Sequence, residues 1–179
     1  MLSVKSGQLD QLGLLFERHH RGLYGFFYRL TADGDVSEDL VQNVFLRIMK
    51  YRHTYHGDGK FTTWMYHMAR NLFADHYKKQ KRMGYKEDVE TTDRYFRDDV
   101  NAESSRIQQE EIDLLQKALD QLPLEKKEIL VLSKFQEMRY REIADLMNLT
   151  ENAVKVRIFR ALKELRKIYE QLETQSSLY

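Results

Sequence analysis

Lys155, Val156, Phe159 and Arg160 stand one to five residues apart near the C-terminal end of this sequence, an interval that gathers side chains on one side of a helix. Lysine and arginine can grip phosphates or guanine edges, and Asn152, one turn earlier, can pair with adenine edges. The residues before them read as a device for presenting such a helix. Tyr140 to Met147 is amphipathic, Asn148-Leu149 leaves room only for a tight reversal, and Thr150 can cap the second helix. Small Ala144 permits close approach, while Ile143, Met147, Leu149, Val154 and Ile158 supply a shared apolar core. This is helix-turn-helix grammar, in which the second helix turns its first polar residues toward a DNA major groove. Glu151 and Arg157 lie beside that set. A plain helical hairpin could share the spacing, but it has no need of the six Lys/Arg against only Glu151 and Glu164 between residues 150 and 167.

A second constellation has a different make. Tyr51, Tyr55, Phe61, Trp64, Tyr66, Phe73 and Tyr77 are interleaved with Lys60, Arg70, Lys78, Lys79, Lys81 and Arg82. Duplex binders need cations; binders of unpaired strands also use ring faces on which bases stack. Helical spacing assigns Trp64, Phe73 and most of these rings to a core, although one or two exposed rings would suffice for stacking.

The elements that must carry these residues are set by composition and periodicity. One proline, eight glycines and no cysteine indicate long helices and few turns, and exclude disulfides and thiolate chemistry. Apolar residues recur at helical spacing from Leu9 to Leu30 (Leu12, Leu15, Phe16, Leu23, Phe26, Phe27), then break at 31–34. Asp35 with Glu38 forms a capping-box-like start for a helix through Val41, Val44, Phe45, Ile48 and Met49. A loop at 55–59 precedes a helix from about Thr62 that ends in Lys78–Arg82. After a segment without periodicity come helices from about Arg106, after Pro123, at Tyr140–Met147 and from Thr150 to about Leu172. The expected fold is all-α: a helical domain over 1–83, a flexible acidic linker over 84–105, and a helix-turn-helix domain over 106–179.

The formal net charge of +1 hides a division. Residues 1–83 hold thirteen Lys/Arg against eight Asp/Glu, residues 84–111 four against nine, and residues 112–179 twelve against eleven. Two basic patches on helical segments, separated by an acidic stretch, imply a polyanion gripped twice. No apolar stretch approaches the ~20 residues of a membrane span, and the first residues lack a signal-peptide core. A cytoplasmic protein without membrane insertion is therefore expected. Six histidines fall between residues 19 and 76, but no Glu-x-x-His pairing on matching helices supports a metalloenzyme, and no cofactor is expected.

In order and residue content, these segments resemble an extracytoplasmic-function (group IV) factor of the sigma-70 family, the promoter-specificity subunits of bacterial RNA polymerase. Asp35-x-x-Glu38-Asp39-Leu40-Val41-Gln42-x-x-Phe45-Leu46 is similar to the family's polymerase-docking helix. Phe61-x-x-Trp64-Met65-Tyr66-x-Met68-Ala69-Arg70-Asn71-x-x-x-Asp75-x-x-Lys78-Lys79 resembles its segment that melts and reads the −10 element. Ala118-Leu119-x-x-Leu122-Pro123 and the helix-turn-helix resemble its −35-reading domain. The resemblance implies a protein with no enzymatic activity of its own. Its partners would be core RNA polymerase, promoter DNA both double- and single-stranded, and an anti-sigma factor where one exists.

By the same resemblance, Glu38, Asp39, Gln42, Asn43 and Phe45 would face the clamp coiled coil of the polymerase's largest subunit. Arg70 and Asn71, with Trp64 nearby, would capture a flipped base of the opened strand, and Lys78, Lys79, Lys81 and Arg82 its backbone. Lys155, Val156, Phe159 and Arg160 would meet the −35 major groove, with Asn152 and Arg157 on phosphates. The acidic linker would thread the RNA exit path, imitating nucleic acid. The sequence departs from the family where Asn152-Ala153-Val154 replaces Gly-Thr-Val and Val156 replaces Ser, which alters the expected base preference. A stand-alone helix-turn-helix regulator is the alternative reading.

Overall fold

Helix formation begins weakly and then dominates. A computed structural model describes the backbone of residues 1–8, 10–83 and 102–176, and the side chains of 1–8, 10–83 and 109–175. Among the described residues there is no strand. The chain divides into two units, residues 1–90 and 91–179. Residues 84–101 of the expected linker lie outside the described residues, and residues 102–105, assigned to that linker from the sequence, open a helix.

The first unit comprises a single turn α1 (Leu2–Lys5) and three long helices, α2 (Gln11–Thr31), α3 (Gly34–Tyr51) and α4 (Phe61–Met83). Its core is the sum of three stripes at helical spacing: Leu23, Phe26, Phe27 and Leu30; Leu40, Val41, Val44 and Ile48; Met65, Ala69 and Phe73. Each large apolar side chain so buried contributes ~1.5–3 kcal/mol of transfer free energy. Helix α3 packs against both α2 and α4, and Phe26 meets Tyr66 edge-on at 5.3 Å to tie α2 to α4. Val4 of α1 is fully buried, and Lys5 Nζ donates to the Tyr55 carbonyl at 2.7 Å.

The α2–α3 reversal is tighter than the sequence suggests. Ala32 takes a left-handed conformation (φ 55°, ψ 19°) and ends α2 alone. Asp33 then caps α3: the Val36 N–H donates to its Oδ1 at 3.0 Å. The expected cap at Asp35 is thus corrected by two residues, because one left-handed residue completes the turn and the next acceptor in line takes the cap. Gly34 sits where a Cβ would come within 3.3 Å of the Tyr24 hydroxyl, so a larger residue there requires that side chain to shift by a few tenths of an ångström.

The second unit holds α5 (Ala102–Asp120), α6 (Leu124–Leu130), α7 (Tyr140–Met147) and α8 (Glu151–Ser176). Pro123 stands at the N-cap of α6 with an extended ψ of 139°, one residue before the first-turn position its chemistry suggests. Residues Val131–Phe135 widen into a π-helical turn, and Glu137 closes it with φ 50°. Helices α5, α6 and α7 each pack on α8, around Ala118, Leu119, Leu122, Ile129, Leu130, Ile143 and Ile158. Lys127 is buried in this assembly and its Nζ meets Asp120 Oδ1 at 2.6 Å. The same oxygen accepts from Gln116 Nε2 at 3.0 Å. A buried cation left without its carboxylate would cost several kcal/mol.

Candidate nucleic-acid interface

The α7–α8 pair is built as its residue types require. Asn148 occupies the left-handed region (φ 55°, ψ 51°), and the Leu149 N–H donates to the Ala144 carbonyl at 2.8 Å. Thr150 caps α8 by accepting from the Ala153 N–H at 3.2 Å, while Glu142 Oε2 accepts from the Arg139 N–H at 3.0 Å to fix the start of α7. Ile143, Ala144, Leu146, Val154, Ile158 and Ala161 are buried between the helices. Met147 and Leu149 are only half-buried; Leu146 carries the share of core that the sequence pattern assigns to Met147.

With the core on one side, the other side of α8 is fixed. At about 100° per residue, Asn152, Val156, Phe159 and Lys163 fall within about 60° of one outward line, with Lys155 and Arg160 flanking it. All six are exposed. Val156 is 47% exposed and Phe159 70% exposed, the largest exposure of any large apolar side chain among the described residues. Lys163 joins the set by the same three- and four-residue spacing, a signal present in the sequence that the motif alone does not reach. Arg157 does not join it. It projects about 130° round the helix from that line, and its Nη1 lies 4.0 Å from Glu125 Oε2 of α6. So exposed a pair is worth ~1 kcal/mol at most.

Helix α4 presents a second outward line of different content. Trp64, His67, Asn71, Lys78 and Arg82 lie within about 60° of one another, opposite the buried Met65, Tyr66, Ala69 and Phe73. Asn71, Lys78, Lys79, Lys81 and Arg82 are exposed and Arg70 is half-buried. The acid on this side, Asp75, is bound by Arg47 Nη2 of α3 at 3.3 Å, which offsets its repulsion toward a polyanion. Trp64 is half-buried, its ring 5.3 Å from Tyr55 and 6.0 Å from Phe61, so it leans on an aromatic cluster and leaves only part of its surface for a base. Behind the cations, His76 Nε2 is buried without a hydrogen-bond partner. Burial holds this imidazole below its ordinary 6.5, against an opposing pull from Asp33 and with a further push from Lys79.

The outer side of α3 corrects one expectation. Asp39, Gln42 and Asn43 are exposed and Glu38 is half-buried, with Asn43 Nδ2 donating to the Asp39 carbonyl at 2.8 Å. Phe45, expected among them, is only 7% exposed and packs on Phe16 at 4.9 Å. Its position, one residue after Val44 and four after Val41, belongs to the core stripe. The apolar residues that face outward are Leu46, 56% exposed, and Met49, four and seven residues after Gln42.

Fold and surfaces together define an all-α protein of two helical units, each with a cationic outer face and the second carrying a helix-turn-helix. Family profiles give the rest: Sigma-70 region 2 matches residues 15–83 and Sigma-70, region 4 matches residues 112–165. The sequence is 29% identical to the ECF RNA polymerase sigma factor SigX of Bacillus subtilis, over 90% of this chain and 85% of that one. It is also 29% identical to the RNA polymerase sigma factor CarQ of Myxococcus xanthus, over 98% of both. Among solved structures, the sigma factor RpoE of Bartonella quintana, in complex with the anti-sigma factor NepR, superposes with a TM-score of 0.73 at 18% identity, covering 88% of this chain and 96% of that one. The chain belongs to the sigma-70 family, in its extracytoplasmic-function group. It is an RNA polymerase sigma factor, directing promoter recognition and transcription initiation; a stand-alone helix-turn-helix regulator would leave the region 2 match without a purpose.

Proposed function

We propose that the two outer faces divide the promoter between them. Helix α8 reads the paired −35 element through Asn152, Lys155, Val156, Phe159, Arg160 and Lys163, and α4 holds the separated strand of the −10 element. On α4, Arg70 and Asn71 take a flipped base and Lys78, Lys79, Lys81 and Arg82 take its phosphates. The difference between the two outward lines carries this reading. The one on α8 is centred on apolar and amide groups that suit base edges in a groove. The one on α4 is a ring, an amide and a run of cations, which suits unpaired bases and their backbone. Arg157 is turned toward Glu125, and its role is a phosphate contact at the edge of the footprint.

The outer face of α3 docks on the clamp coiled coil of the polymerase's largest subunit. Asp39, Gln42 and Asn43 supply polar contacts, and Leu46 and Met49 the apolar centre that Phe45 does not provide. An anti-sigma factor, by likeness to the Bartonella quintana complex, is a partner that would mask this face. Among the described residues no helix is long and apolar enough to cross a membrane; the protein works in the cytoplasm, as a specificity subunit that performs no catalysis itself.

In vitro transcription by core polymerase with this chain and a randomised promoter library tests the proposal. Defined start sites with a selected duplex element upstream and a selected opened element near the start are expected. Start sites indifferent to either element would overturn the division of labour.

A further inference from the structure

We infer that Val156 is a specificity-determining residue that reads the 5-methyl group of a thymine in the upstream duplex. This rests on the reading of α8 as the groove helix. Folding gives no reason for a valine at this position: it is 47% exposed, on the side of α8 opposite Val154, Ile158 and Ala161, and β-branched residues are poorer helix formers than the lysines and arginines around it. Phe159, one helical turn on and 70% exposed, extends the same apolar strip. Lys155 and Arg160 border it on the two sides, so the apolar patch has cations around it that match a polyanion and no apolar partner.

A major groove offers donors and acceptors at nearly every edge, and its apolar projection is the thymine methyl. Val156 can form no hydrogen bond with those edges. In a helix its χ1 settles almost wholly in one rotamer, so its two methyls are held in place before binding and lose little entropy on contact. A stiff, apolar, outward group amid cations suits a methyl at a fixed depth in the groove. A serine at this position would offer a hydroxyl that rotates to either donor or acceptor edges.

Selection by the reconstituted holoenzyme from two randomised duplex libraries, one with thymine and one with deoxyuridine in its place, tests this, because the libraries differ only in that methyl. With thymine, one upstream position is expected to enrich for it, and with deoxyuridine the preference there should fall about fourfold, as expected for a buried methyl-sized group. Val156→Ala should lose the same preference in the thymine library and show no further loss with deoxyuridine. Lys155→Ala should weaken binding yet keep the difference between libraries. Unfolding midpoints of Val156→Ala at or above that of the parent chain would show that the variant is folded. Identical enrichment in both libraries, or a methyl preference that survives in Val156→Ala, would overturn the inference and leave the apolar strip to a protein contact. Failure of the holoenzyme to select any upstream element would instead overturn the promoter reading on which it rests.

Discussion

Helices α4 and α8 each bury one side and leave exposed the other, the side proposed to meet DNA, yet they use aromatic rings in opposite ways. The first unit is crowded with rings among cations, and nearly all pack on one another: Tyr55 against Phe61 and Trp64, Phe26 against Tyr66, Phe16 against Phe45. The second unit is poorer in rings, and one of them, Phe159, stands almost free of the protein. Abundance of aromatics near cations is therefore a weak sign of an exposed ring, and register is a strong one. A ring in phase with the core stripe serves the fold, and a ring out of phase is left free for a partner.

Two phenylalanines sharpen this contrast most. Phe45→Ala should lower the stability of the first unit by ~3–5 kcal/mol, the range for removing a buried ring, as read from urea unfolding; little change would return Phe45 to the docking face. Phe159→Ala should leave stability nearly untouched, and cost ~1–3 kcal/mol of upstream-element binding by the holoenzyme. Equal losses of stability in the two variants would break the comparison. Asp39→Arg reverses a charge on the outer side of α3, away from either core, and should abolish co-elution with core polymerase while the circular dichroism spectrum stays helical. Retained co-elution would place the docking surface elsewhere.

Long elements are legible in the sequence because their periodicity is global. All three long helices of the first unit and the α7–α8 pair lie within a few residues of their expected places, and the left-handed Asn148 and the Thr150 cap are readable from residue type. The features that escape are set by single residues with no chemical mark. Ala32 adopts φ 55° though it has neither the missing Cβ of glycine nor the polar side chain of asparagine, so the cap falls on Asp33 without a local signal. The π-turn at Val131–Phe135 likewise carries no mark in its residue types. On the surfaces, the docking motif places Phe45 against its own register, and the spacing that puts it in the core also exposes Leu46. Arg157 turns to Glu125, thirty-two residues earlier in the chain, a pairing no local pattern encodes.

Smaller effects separate the two faces further. Asn71→Ala should impair promoter opening, measured by permanganate reactivity of the opened strand, while polymerase co-elution and upstream footprints persist, because Asn71 sits outside both of those surfaces. Loss of all three together would deny α4 a separate task. Lys78→Ala should reduce the salt slope of single-strand binding by about 0.7, the value for one phosphate contact on an unpaired strand. Val156→Ala, lacking any charge, should leave that slope unchanged.

The smallest effect concerns what lies beneath the cations of α4. His76 buries Nε2 with no partner, and its pKa is held below 6.5 by burial first, despite Asp33 raising it, with Lys79 adding to the depression. The unfolded chain therefore takes up this proton near pH 6.5, and the folded one only at lower pH. Between those two values the unfolded state binds more protons, so stability falls as the pH drops through that window and levels off below the folded value. Above pH 6.5 the group contributes no slope. His76→Asn should flatten the decline in urea midpoint between pH 7 and the acid end of the window relative to the parent chain, with the remainder left to His19, whose pKa is lowered by burial and by Arg18. The second unit contains no histidine, so Phe159→Ala should retain the full decline. An unchanged acid limb in His76→Asn would show that the orphaned nitrogen is satisfied in solution, and that the cationic face of α4 rests on a core as indifferent to mild acid as that of α8.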